Sequence, residues 1–405
     1  MAEPITVEDL LDRVLGTIEE LPHFPQPLMD ALGLPVAEDL HAPIALPTFD
    51  NSAMDGYAVV AADVEGASAD HPVRLPVVGE IGAGQASLLA LSPGTAAKIM
   101  TGAPVPEGCD AVVPYEWTDR GVAHVEITQA PAVGAHIRSA GEDVTPGDLL
   151  VEAGTVLGPR HLGLLAAVGL GTVRVRPRPR VVVLSTGSEL RDAGTPLSHD
   201  AIYDGNSYLL AAAAREAGAI AYRVGIVPDD PAAFMDALSD QLVRADLVVT
   251  SGGVSQGDFD VVKEALSPLG SVWFGPVKMQ PGKPQGFGTV GEDETPIFTL
   301  PGNPVSSYIS FQMFVLPALR KMMGLRPYVR PTTEARLTKA FSSPPGRRQF
   351  MRGTYANRTV TPAGGPGSHL IGDLATADCL IVVPEDQTSV LAGDQVQVLR
   401  LDEEF

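Results

Sequence analysis

Apolar and polar positions change rhythm repeatedly along this chain. Residues 6–20 carry Leu10, Leu11, Val14, Leu15 and Ile18 on one helical face, which predicts an amphipathic helix. Thr6 suits its N-cap, Asp9 falls at the capping-box position, and Pro22, Pro25 and Pro27 stop it. From about 45 to 145 the pattern becomes short apolar runs broken by Gly and Pro, which predicts an all-β domain. GPRHLGLLAAV (158–168) returns to helix with Pro159 at its first turn. VRVRPRPRP (173–179) reads as an extended, solvated linker or as a basic recognition strip.

Between 180 and 325 strand and helix signals alternate. RVVVLSTGSEL is strand, turn and helix start, SYLLAAAAREAGA is helical, and ADLVVTSGGVS is a second buried strand with a Gly turn. Asp230 reads as an N-cap with Pro231 behind it. This order predicts a doubly wound, mostly parallel α/β sheet with ligand loops at the strands' C-terminal ends. After 327 short β-like runs resume, which predicts a small C-terminal β-domain. A multidomain chain of α/β plus β class follows.

Composition narrows the function. The 405 residues suggest two to four domains at roughly 150 residues each. A net charge of −21 argues against nucleic acid and anionic membranes as partners, so local features must hold any anionic ligand. Two cysteines, Cys109 and Cys379, lie far apart and form no CxxC pair, which argues against a disulfide framework and a thiolate zinc site. The opening residues MAEPITVEDL are acidic and carry no leader-like apolar core, and the apolar run at 162–171 is too short to span a bilayer. A cytoplasmic location is expected.

The densest chemistry lies in SGGVSQGDFD (251–260), where a buried strand ends in two glycines and carboxylates follow at Asp258 and Asp260. Glycine lets backbone N–H groups approach an anion. Two carboxylates at ~4 Å repel by about 4 kcal/mol at an effective dielectric of about 20, so a cation between them is expected. STGSEL, VPDD and LPGNPVSS should share that sheet edge. In the last, Asn303 suits an N-cap, and the N–H groups of Val305, Ser306 and Ser307 would be free for an anion. QPGKP (280–284) adds Lys283. Each acid also has a plain structural role open to it. Asp230 suits a helix cap, Glu189 a complement to a helix dipole, Asp258 and Asp260 caps for VVKEAL, and Asp204 an Asx turn. The β-domain holds FDNSAMDGYAV (49–59), MTGAPVPEG (100–108) and RSAGEDV (138–144), with Asp50, Asn51, Asp55, Thr101, Arg138, Glu142 and Asp143. The histidines are scattered, and Walker A, GxSxG and Ser-His-Asp patterns are absent.

Those segments, in this order and joined by IYDGN and GSH, resemble the MoeA family of molybdopterin molybdenumtransferases. The resemblance implies four domains. These are a discontinuous linker domain at 1–44 and 145–176, a protruding β-domain at 45–144, a molybdopterin-binding α/β domain at 177–326 and a C-terminal β-domain, barrel-like, at 327–405. It implies a homodimer whose active site lies at the subunit interface. The implied reaction takes adenylylated molybdopterin and molybdate, with Mg2+, and yields loaded cofactor and AMP. Asp55, Thr101, Asp143, Glu189 and Asp260 are then candidate catalytic residues. Glu189 and Asp229 are candidate metal ligands. Gly252, Gly253, Ser255, Lys283, Asn303, Ser306, Arg352 and Ser368 are candidate substrate contacts. A molybdopterin adenylyltransferase and cofactor-accepting enzymes are the implied partners. The sequence departs from the family pattern twice: Ser188 replaces an Asp and Gln280 replaces a Lys. A non-catalytic pterin carrier and a pterin adenylyltransferase are the competing readings.

Overall fold

The run Val181 to Leu184 is buried on both faces, as expected of a central parallel strand. The computed structural model describes residues 3–84, 90–253, 260–403 and Phe405. Ser255 and Asp258 therefore lie outside the described residues. The chain forms two compact units. One comprises residues 1–24, 154–156 and 174–405; the other comprises 25–153 and 157–173.

In the first unit, Ile220–Arg223, Arg180–Ser185, Leu247–Ser251 and Thr295–Leu300 are parallel neighbours in that order. Pro284–Val290 and Val272–Pro276 extend the sheet antiparallel. Alternation sorts side chains to opposite faces. Val181 and Val183 join one core with Leu210, Phe298 and Phe314, while Val182 and Leu184 join the other with Phe234, Leu238 and Val262. Both faces are covered, which is the doubly wound arrangement. The helix Val7–Thr17 packs on the first face through Leu10 and Val14, and Thr6 and Asp9 form its capping box. Pro304–Ser310 passes through a π-helical turn, Phe311–Val315, into Leu316–Met322. Pro317 lacks the N–H that a regular α-helix would direct to Met313, which accounts for the widened turn.

The same unit contains a closed five-stranded barrel. Arg348–Ala356 pairs with Thr359–Pro362 and with Cys379–Val383, and Thr332–Leu337 and Gln395–Arg400 complete the circuit. Met279–Gln280, from the α/β part, adds parallel to Arg348–Gln349 and brings the QPGKP turn to the barrel. Arg176 departs from the solvated-linker expectation. It donates to the Leu21 carbonyl at 2.7 Å and pairs with Glu20 at 2.5 Å, so the Arg-Pro segment braces the N-terminal helix's exit.

The second unit centres on a five-stranded sheet ordered Ala111–Pro114, Gly56–Val59, Ala96–Ile99, Val73–Ile81 and His124–Ile127. Tyr57, Val59, Val113 and Val125 build one core there. Leu40–His41 pairs with Leu149–Val151, and Pro159–Ala167 is helical with Pro159 in the first turn. Cys109 and Cys379 are both free thiols. Among the described residues no helix is long and apolar enough to cross a membrane.

Candidate functional site

Three parallel strands end side by side, and each is followed within two residues by a glycine. Gly252 adopts φ +97, a region that disfavours side chains. A Cβ there would lie 2.9 Å from the Thr186 carbonyl oxygen, so the SGG loop packs directly on the STGSEL loop. Gly253, at φ +67, would drive a Cβ to 2.8 Å from Val262. The Gly252 N–H donates to Leu300 O at 3.2 Å. Asn206 bridges the neighbouring loops, donating to Ser251 Oγ at 2.8 Å and Gly302 O at 2.6 Å. The STGSEL and LPGN loops and the described start of SGGVSQGD therefore share one edge, and VPDD joins it through the Thr186–Val227 bridge.

The acids on this edge differ in what they engage. Asp230 caps Pro231–Leu242 by accepting from Ala233 N at 2.8 Å. Asp204 is buried and accepts from Ser207 N at 3.0 Å, Ser207 Oγ at 2.6 Å and Ser185 Oγ at 3.2 Å. Both are thus engaged in local structure. Asp229 is exposed and accepts from Ser188 N at 2.7 Å, so the residue at the first departure meets this acid through its backbone. Glu189 is exposed on the same turn. Asp260 stands at the N-cap position of Val261–Leu266, where its carbonyl accepts from Glu264 N at 2.9 Å.

A cleft of about 320 Å³ opens where the QPGKP turn and the start of Pro304–Ser310 meet the barrel. Gln280, Lys283, Asn303, Ser306, Arg347 and Ser368 line it. Neither Lys283 nor Arg347 has an ion-pair partner among the described residues, so two cations and several hydroxyl or amide groups face one small space. Such a donor set suits an oxyanion. Gln285, beneath, donates to Gly282 O at 2.7 Å and fixes the turn.

One expectation fails here. Val305 N is not free: it donates to Ser368 O at 3.0 Å. Ser307 N is likewise taken, donating to Asn303 O at 2.9 Å within the helix. Only Ser306 N, of the three, has no acceptor among the described residues. Arg352 does not line the cleft. It is 2 % exposed and donates to the carbonyls of Gly365 and of Gly367, the latter at 3.2 Å. Burial lowers its pKa below the ordinary arginine value. Its geometry positions the loop that carries Ser368.

In the second unit the three polar segments meet. Asn51 and Ser52 pair with Arg138 and Ile137. Ala140 N donates to Asp50 Oδ1 at 2.7 Å, and Gly102 N to Ser52 O at 2.8 Å. Asp55 accepts from Thr101 N at 2.7 Å and Thr101 Oγ1 at 2.8 Å. These two donors hold its carboxyl below the ordinary aspartate pKa. Asp143 is exposed, with its N–H on Leu46 O at 3.0 Å.

Sequence reasoning missed Arg347. The signal was present in GRRQF: Arg348 begins a barrel strand and pairs with Glu8 and Glu385, so its neighbour must point elsewhere. For Mg2+, no group of three acids is found among the described residues. Mg2+ commonly takes one or two carboxylates and completes its shell with water and substrate phosphate, so exposed Glu189 and Asp229 fit that limited role.

Similarity to known proteins agrees along the whole chain. Residues 5–169 match the family model described as MoeA N-terminal region (domain I and II). Residues 182–321 match the probable molybdopterin binding domain, and 334–401 the MoeA C-terminal region (domain IV). The chain is 50% identical over 380 residues to molybdopterin molybdenumtransferase 2 of Mycobacterium tuberculosis, covering 92% of this chain and 93% of that protein. It is 34% identical over 411 residues to the molybdopterin molybdenumtransferase of Bacillus subtilis, covering 99% and 95%. The crystal structure of the molybdopterin biosynthesis MoeA protein from Pyrococcus horikosii superposes with a TM-score of 0.88 at 32% identity, covering 99% of this chain and all of that one. With family models spanning most of its length and relatives of this identity, the chain belongs to the MoeA family.

Proposed function

We propose that this protein is a molybdopterin molybdenumtransferase that converts adenylylated molybdopterin and molybdate into molybdenum-loaded cofactor and AMP. The observation that supports this most is the cleft where Lys283, Ser306, Arg347 and Ser368 converge from four separate chain segments. Both substrates are oxyanions, and a small cationic seat is what a chain of net charge −21 needs to hold them.

Breaking the phosphoanhydride requires that charge on the phosphoryl oxygens be neutralised and that an oxygen nucleophile attack in line. Lys283 and Arg347 supply the charge, while Ser306 and Ser368 donate hydrogen bonds that orient the anion. The glycine turns at Gly252 and Gly253 let backbone approach the pterin phosphate. Bound Mg2+ would supply further charge neutralisation at the anhydride, held by Glu189 and Asp229. Asp260 contributes a carboxylate on the same edge, and Asp55, Thr101 and Asp143 supply the polar face of the β-domain, in a homodimer with four domains per chain.

Reconstitution tests the reading. Incubating the protein with adenylylated molybdopterin, Mg2+ and molybdate should activate a cofactor-free molybdenum enzyme added afterwards. Lys283→Ala should cut that activation at least tenfold. Equal activation by both proteins, or none by the wild type, counts against it.

A further inference from the structure

Three guanidiniums from three elements face a second cleft, at the open edge of the α/β sheet. The helix Asn206–Glu216 supplies Arg215, the edge strand Ile220–Arg223 supplies Arg223, and the turn after Pro231–Leu242 supplies Arg244. The cleft has a volume of about 690 Å³, and its lining shares no residue with the cleft at Lys283. Tyr208 and Tyr222 wall it, and no carboxylate lines it.

Two guanidiniums sit over aromatic rings. Arg223 lies 3.5 Å from the Tyr208 ring centroid, and Arg244 lies 4.8 Å from that of Tyr222. Arg223 also donates to Ser207 Oγ at 2.8 Å and pairs with Asp192 at 3.2 Å, with Asp204 at 4.0 Å, so its charge is offset. Arg215 and Arg244 have neutral acceptors only. Arg215 donates to Ala221 O at 3.0 Å, and Arg244 Nε to Gln241 Oε1 at 2.8 Å. Neither has a carboxylate partner among the described residues.

Arg215 has a plain structural role, because it occupies a carbonyl of the edge strand and blunts that edge. The same explanation does not cover Arg244, whose acceptor, Gln241, lies three residues earlier in the chain. Arg215 and Arg244 are both exposed, and together they make a local positive patch on a strongly acidic chain, where an anion is favoured. A guanidinium presents a planar fork, and a fork matches the oxygen pair of a phosphate better than a point charge does.

We propose that this cleft binds a phosphorylated ligand. Arg215 and Arg244 supply the charge, and the Tyr222 ring holds the Arg244 fork in place. The ligand chemistry is a phosphate group, carried either by a nucleotide or by free phosphate.

The test is equilibrium dialysis of radiolabelled inorganic phosphate and of AMP against the whole protein in about 0.15 M salt, where exposed charges are screened over about 8 Å. A background with Lys283→Ala and Arg347→Ala, which removes both cations of the first cleft, isolates the second. Saturable binding should persist there and weaken at least tenfold when Arg215→Ala and Arg244→Ala are added. Arg244 is exposed, so Arg244→Gln alone should keep the wild-type melting temperature and still weaken binding several-fold. Tighter AMP than phosphate supports the proposal with a nucleotide as the source, and equal binding supports it with the phosphate group alone. Unchanged affinity in the Arg215 and Arg244 variants, or no saturable binding of either probe once Lys283 and Arg347 are replaced, overturns it.

Discussion

The backbone N–H of Val305 donates to the carbonyl oxygen of Ser368 at 3.0 Å, joining the first turn of a helix in the α/β part to a loop beside the barrel. The bond uses backbone on both sides, so it survives loss of the Ser368 hydroxyl. Ser368→Ala should therefore melt close to wild type while raising KM for the anionic substrate several-fold. Thermal melts and steady-state kinetics on one preparation check this, and a large drop in Tm would assign the hydroxyl to folding instead.

Arg352 reaches the same loop from inside the protein. Removing its guanidinium leaves the carbonyls of Gly365 and Gly367, both in half-buried residues, without their donor, and an unpaired carbonyl costs up to roughly 1–3 kcal/mol when fully buried. Arg352→Met should lose about 1–3 kcal/mol of stability in urea unfolding. Activity should fall because Ser368 is misplaced. A variant of wild-type stability that binds substrate poorly would instead indicate direct contact with ligand.

Asp55 has a folded-state pKa below the 3.8 of an ordinary aspartate, because the Thr101 N–H and hydroxyl both donate to it. A depressed acid contributes stability above its unfolded pKa and loses it as pH falls through the folded value. Asp55 is exposed, so this contribution is small and screened. The expected signature is an NMR titration midpoint for the Asp55 carboxyl carbon below 3.8 that returns toward that value in Thr101→Val. Activity between pH 5 and 8 should show no step from this group, on the order of what an already ionised carboxylate allows.

Gln280 lines the cleft at a position where the family resemblance implies a lysine. Restoring the cation with Gln280→Lys adds a third positive charge opposite the anion. At an effective dielectric of about 20 this should tighten oxyanion binding by roughly tenfold, less at high salt. Titration calorimetry with molybdate at two ionic strengths checks both the gain and its salt dependence.

How much of this was legible in the sequence depends on the range of the interaction. The buried runs at Val181 and Val248, the capping box of Thr6 and Asp9, and the Asp230 cap rest on local patterns, and each stands in the structure as read. The shared edge of STGSEL and SGG was legible because parallel strands place their Gly turns together. The free N–H at Val305 was misread because its acceptor, Ser368, comes from 63 residues later in the chain and from another part of the fold. Arg347 was missed because only the pairing of Met279–Gln280 with the barrel turns that position toward Lys283. Arg352 was taken for a ligand contact because burial, which directs its guanidinium to two carbonyls, has no local sequence signature.

The most direct test of the central claim is AMP release from adenylylated molybdopterin in Mg2+, with and without molybdate, by the wild-type protein. Release that depends on molybdate and falls at least tenfold in Lys283→Ala is the predicted result. Release at the same rate without molybdate, or tight pterin binding with no release at all, would contradict it.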